Sequence, residues 1–330
     1  MATFLATLTP MLTLFFCIVI GFVAAKTKIL PESASKAMAT METWIFCPAL
    51  SFMTMLRYCT VESLSSYGVN IASASVAVAV SMLMAIPLAK VFVKENNDER
   101  GVYSYALAFA NCGYVGDPVV LALFGEAALA HYKIYCLPLS LVIYTWGVSV
   151  LTPKGEGKGG ALKRILNAPT VAMLIGVVMG LSGAANYIPT FLISALDSLK
   201  ACMGPVAMIL AGVTIARYDF IEMLKNKKVY IATALRLVVL PSILIAVLYA
   251  VKSLVNSTLG LAIGNDVLFL CFFSAAAPLG LNTVVFPEAY GGNPKTGASM
   301  AMISHTLCVI SIPLMYALMV ALFGTPFGNL

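Results

Sequence analysis

Ten apolar runs, each near the length that crosses a lipid bilayer, decide what this chain can fold into. They occupy 4–24, 38–56, 67–93, 102–125, 131–151, 168–185, 191–216, 229–251, 266–289 and 297–323. About 20 apolar residues in helix span the hydrocarbon core. The expectation is an all-α membrane protein with ten transmembrane helices and little chain between them for a soluble domain. A 61% hydrophobic content, 10% charge and a mean hydropathy of +0.95 exclude an ordinary soluble domain. The first run has no charged residue before it and is too long for the apolar part of a signal peptide, so it is expected as a mature helix.

Two runs are interrupted in the middle. Residues 106–126 hold Asn111, Gly113, Gly116, Asp117 and Pro118, and residues 273–292 hold Pro278, Gly280, Asn282 and Thr283. Proline removes an amide donor and clashes with the preceding turn, and glycine loosens the backbone. A helix entering either stretch is expected to break and restart. Lipid does not tolerate the freed backbone groups, so each break must face protein or a watery cavity. Interrupted spans in corresponding places of two halves point to the binding site of a transporter.

The halves are visible elsewhere. A glycine-rich linker, 152–167, divides a five-run segment at 1–151 from another at 168–330. Pro205 lies 157 residues after Pro48, and Pro278 lies 160 after Pro118. Five is odd, so the repeats must insert with opposite orientation.

The net charge of +6 follows from topology rather than from a nucleic-acid surface. Fifteen of the 20 Lys and Arg fall in odd-numbered loops, against Arg57, Lys133 and Lys252 in even-numbered ones, with Lys200 and Arg236 inside runs. The positive-inside bias places the linker in the cytoplasm and both termini outside it, in a multi-pass protein of the plasma or inner membrane. The eight cysteines form no C-x-x-C, which argues against a disulfide framework or a metal site. No cofactor motif and no phosphate-binding loop is present, so transport would draw on a gradient or the membrane potential.

Three motifs carry a resemblance that covers nearly the whole chain. Asn111-x-x-x-x-Gly116-x-Pro118 with the following Leu-Phe-Gly-Glu, Ala277-Pro278-Leu-Gly-Leu-Asn282 through Glu288 and Tyr290, and Leu210 through Arg217 with Asp219 resemble the auxin efflux carrier (PIN-type) family of the bile acid/auxin carrier-like superfamily. The resemblance implies a scaffold of helices 1, 2, 6 and 7 and a mobile domain of helices 3–5 and 8–10. It implies that broken helices 4 and 9 cross at Pro118 and Pro278, and that a small organic anion, a carboxylate or auxin-like acid, moves by an elevator displacement in a homodimer. The family usually has an aliphatic residue where Asp117 stands. A charged Asp there opposes an anion at the half-helix N-terminus unless it is protonated.

Asn111, Gly116, Pro118, Pro278, Asn282 and Thr283 are thus the substrate-binding candidates, and Asp117 and His305 the candidates for a coupling proton or sodium ion. Each has a plainer reading. Asn111 can serve the freed backbone, Asp117 can cap the restarted helix ahead of Pro118, Asn282 and Thr283 can cap theirs, and His305 can be a packing residue. His131 reads as interfacial, Glu126 and Glu288 as solvated, and Arg236 as paired with an acid or snorkelling. Two other classes compete with the carrier. A passive channel is one, since broken helices can line pores. An intramembrane aspartyl protease is the other, from Pro48-Ala49-Leu50, Gly116-Asp117 and Tyr218-Asp219, although Tyr114 occupies the place of a motif glycine and the motif order is reversed.

Overall fold

The computed structural model describes residues 2–31, 33–151, 166–218, 225–284 and 295–328. Most of the central linker, together with Asp219, Glu288 and Tyr290, lies outside the described residues. The elements are helices α1 (Ala2–Lys26), α2 (Ala34–Met41, a π turn at Glu42–Phe46, then Cys47–Tyr58), α3 (Leu64–Phe92) and α4 (Asn97–Ala108). The helix Cys112–Val142 is divided at Gly125, whose φ of 80° and ψ of −174° are not helical, into α5 (112–124) and α6 (126–151). Then follow α7 (Ala168–Leu181), α8 (Thr190–Ala216), α9 (Lys227–Leu259), α10 (Asp266–Ala276) and α11 (Lys295–Phe323).

Among the described residues, six helical stretches are long and apolar enough to cross a membrane: residues 7–26 of α1, α3, Cys112–Val142, α8, α9 and α11. The expected run at 168–185 yields only 14 helical residues in α7, about 21 Å at 1.5 Å per residue. The run at 266–289 leaves helix after Ala276 and re-enters it at 282–284. The fourth run starts earlier than expected. Asn96 accepts hydrogen bonds from the amides of Asp98 and Glu99, both at 3.1 Å, and so begins α4 inside what reads as a loop.

Three π turns share one cause. Glu42–Phe46, Cys112–Gly116 and Leu235–Val239 each end two residues before a proline, Pro48, Pro118 and Pro241. The proline ring collides with the carbonyl four residues back and offers it no amide. Widening the turn removes that collision.

Two pairs of helices pack backbone to backbone. A Cβ on Gly21 would overlap the carbonyl of Ile209, and one on Gly212 the carbonyl of Ile18, so α1 and α8 meet along a glycine seam. Gly176 and Gly180 of α7 fit in the same way against the carbonyls of Phe52, Met55 and Cys59 in α2. α3 packs on α4 and α6, and α9 on α10 and α11. The centre is made of the two short helices: Gly101–Ala108 and Val267–Ala276 are buried at every position. A helix buried all round belongs in a core. By contrast Phe16, Val178 and Phe191 on α1, α7 and α8 are more than 60% exposed, an outer face suited to lipid.

Candidate functional site

The chain leaves helix between α4 and α5, where Phe109 is extended and Ala110 forms an antiparallel bridge with Leu279. The Asn111 amide donates to the Pro278 carbonyl at 2.7 Å. The two breaks therefore meet at Ala110–Asn111 and Pro278–Leu279, so Pro278 is at the contact and Pro118 is not. Pro118 lies inside the restarted helix, just past the π turn Cys112–Gly116, which makes room for its ring. Side chains satisfy the freed backbone groups. Ser81 donates to the Ala108 carbonyl at 2.7 Å, Tyr132 to the Cys112 carbonyl at 3.2 Å, and the Leu279 amide donates to Ser304 Oγ at 3.1 Å.

Asn111 caps the restart. Its Oδ1 accepts from the Tyr114 amide at 3.2 Å. Its Nδ2 lies 3.5 Å from Nε2 of His305, whose Nδ1 lies 2.7 Å from the Ala301 carbonyl. A carbonyl only accepts, so Nδ1 carries the proton and Nε2 accepts from Asn111. The structure thus joins two candidates from opposite halves of the chain, with His305 behind Asn111 in the role of a packing partner.

Asp117 is not the cap. Its backbone is helical, and its carboxylate, 2% exposed, pairs with Nζ of Lys133 on α6. Lys133 is thereby corrected from a loop cation to a buried one. The hairpin explains the meeting: Asp117 and Lys133 each lie eight residues from Gly125. Gly116 is there for packing, since a Cβ would collide with the Tyr132 hydroxyl. Thr283 is buried, and its Oγ1 donates back to the Gly280 carbonyl at 2.9 Å rather than capping a free amide. Asn282 donates to the Tyr105 hydroxyl at 2.9 Å.

A cavity of about 150 Å³ opens beside the crossing. Asn111, Asp117 and Asn282 line it; Gly116, Pro118, Pro278, Thr283 and His305 do not. Lys133 joins them, with Thr43, Cys47 and Ser51 of α2 opposite and Thr170 of α7 at the side. Carboxylate, ammonium, the amides of Asn111, Asn167 and Asn282, and hydroxyls in one space can bind a small polar molecule and exchange a charge with it.

Other charges also differ from the sequence reading. Glu126 is not simply solvated: Lys200 holds it at 2.6 Å and Arg57 at 3.4 Å, and both cations also hold Asp197, at 3.2 and 2.7 Å. This network ties the start of α6 to α2 and α8. Arg236 neither pairs nor snorkels among the described residues. It is 3% exposed and its guanidinium nitrogens have no hydrogen-bond partner. Glu42, also missed, is fully buried, and both its oxygens are unpartnered among the described residues. His131 is half-buried, with Nδ1 3.0 Å from Nδ2 of Asn70 and its ring edge-on to Tyr67. The protease reading needs Asp117 facing a second aspartate. Asp117 instead faces Lys133, and Asp219 lies outside the described residues.

Long apolar helices around a polar crossing define a multi-pass membrane protein with a transporter-like site. The profile of a family described as membrane transport protein matches residues 6–159 and 158–316, and the chain belongs to this family, that of the auxin efflux carriers. It is also similar to an uncharacterized transporter of Methanocaldococcus jannaschii, with 23% identity over 308 residues covering 90% of this chain and 94% of the relative.

Proposed function

We propose that the protein is a secondary-active carrier of a small organic anion, bound in the cavity at the crossing and moved by an elevator displacement. One observation carries this reading: the amides of Asn111 and Asn282 and the ammonium of Lys133 converge on one cavity. A carboxylate offers only acceptors, and these groups offer donors. The objection raised by Asp117 falls away because Lys133 neutralises it. A proton on Asp117 would release Lys133 to the incoming carboxylate, which keeps Asp117 a coupling candidate.

The packing supports ten spans in two inverted repeats, with α4 and α5 as one broken span and α10 as the first half of another. If spans one and six correspond, and two and seven, the α1–α8 seam maps onto the α7–α2 seam, and both are built on glycine. The packing of α3 on α4 and α6 maps onto that of α9 on α10 and α11. In this reading α1, α2, α7 and α8 form the scaffold and dimer face, and the rest carries the cavity.

The test is melting of purified protein with malonate, malate, indole-3-acetate and, as zwitterionic controls, amino acids. A carboxylate should raise the melting temperature of the wild type and not of Asn282→Ala. No shift with any carboxylate, or an equal shift in the variant, overturns the assignment. Saturable uptake into proteoliposomes goes with a carrier, and single-channel current with a pore.

A further inference from the structure

We propose that Glu42 is a proton-carrying residue of the transport cycle, holding a proton in the conformation described here and exchanging it with water in the neighbouring cavity. This rests on the carrier reading and adds a coupling ion and a residue to it.

The position is set by the helix. On α2, Ala34, Ser35, Glu42 and Phe46 are buried, while Met41, Trp44 and Ile45 are 43%, 68% and 40% exposed. Glu42 therefore stands on the face turned into the protein and away from lipid. Its exposure is 0%, and neither carboxyl oxygen has a hydrogen-bond partner among the described residues. An ionised carboxylate stripped of water with no donor is costly, and binding a proton removes the charge. Asp117, the other fully buried acid among the described residues, has a cation of its own.

The route to water is short. Glu42 opens the π turn, its neighbour Thr43 lines the cavity, and so does Cys47, one turn on. Cys47 lies within electrostatic range of Glu42, Asp117 and Lys133 alike. The other titratable groups on the helices packed around the turn are Lys36, Arg57 and Tyr58 on α2 and Asp197, Lys200 and Cys202 on α8; α7 has none. None of them bonds Glu42, and Arg57, Asp197 and Lys200 are held in the network with Glu126. In the carrier reading α2 is static and α6 moves, so the step carries Lys133 past Glu42. The O–H bond of the acid then breaks, the proton passes to cavity water, and the carboxylate regains a proton on the return.

Infrared difference spectroscopy of detergent-purified protein tests this without a substrate. The wild type at neutral pH should show the C=O stretch of a protonated carboxyl that shifts in D₂O. The band should vanish in Glu42→Gln, which keeps the shape of the neutral acid, and persist in Glu42→Asp and Asp117→Asn. Absence of the band from the wild type, or its survival in Glu42→Gln, overturns the proposal. In proteoliposomes, malonate uptake stimulated by a pH gradient should fall to the no-gradient level in Glu42→Gln while malonate counterflow continues. Full stimulation in Glu42→Gln also overturns it. Failure of the wild type to move malonate counts against the carrier reading, and the infrared band still decides the role of Glu42.

Discussion

Replacing Lys133 with methionine isolates the ion pair at the cavity. The Lys133 side chain is 10% exposed and that of Asp117 2%. Methionine fills much of the space of the lysine stem but leaves the carboxylate buried and alone. Removing one partner of a buried pair costs about 3–5 kcal/mol, whereas replacing both by neutral groups is often nearly free. We predict that Lys133→Met is destabilised by about that amount and that Asp117→Asn with Lys133→Met recovers most of it. Thermal and denaturant unfolding of wild type, both single variants and the double variant in one detergent give the coupling energy as a double-mutant cycle. Carboxylate binding supplies a second axis. The double variant should regain stability without regaining affinity, because the donor to the substrate is still missing. Wild-type stability in Lys133→Met, or a double variant no more stable than that single one, refutes the argument.

Four further outcomes follow from the same geometry. Asn111→Ser keeps a cap for the Tyr114 amide and should hold stability within about 0.5 kcal/mol of wild type, whereas Asn111→Ala should lose about 0.5–2 kcal/mol; in melting and binding assays both should bind the carboxylate about 1–3 kcal/mol more weakly. Gly116→Ala should lower stability by about 1–3 kcal/mol through overpacking, with partial recovery in Tyr132→Phe, whose ring carbon still lies 2.9 Å from the added methyl. Glu126→Gln should move the melting point little, by about 1 kcal/mol or less, because Glu126 and Arg57 are partly exposed and Lys200 keeps Asp197 as a partner; a larger loss would mean the network bears more of the fold than its exposure allows. With Gly157→Cys in a cysteine-free background, an impermeant thiol reagent added to intact cells should fail to label, and ready labelling would reverse the proposed orientation.

Much of this architecture was legible because lipid narrows the alternatives. Apolar runs announce helices, and proline with glycine inside a run announces a break. Asn111, Asp117 and Asn282 were found as polar residues where the membrane makes polarity costly. The misplaced crossing has a local cause. Pro118 draws the eye as a helix breaker, but the π turn before it absorbs its ring, and the break lies upstream at Phe109 to Asn111. Lys133 was missed because the turn at Gly125 was read as a longer loop. With the hairpin tip at Gly125, residues equally far on either side face each other. Glu42, Arg236 and the cluster around Glu126 depend on which helices touch, and helical period alone does not carry that.

The bridge between Ala110 and Leu279 has a consequence for how such proteins diversify. The contact that pins the two breaks together runs through main-chain atoms, with the Asn111 amide on the Pro278 carbonyl at its centre. A main-chain hydrogen bond survives most substitutions, so drift in the surrounding side chains leaves the junction standing. In the proposed carrier, the amides, hydroxyls and charges that line the cavity beside that junction can be exchanged one at a time. The joint is inherited as geometry, while selectivity is free to be rewritten around it.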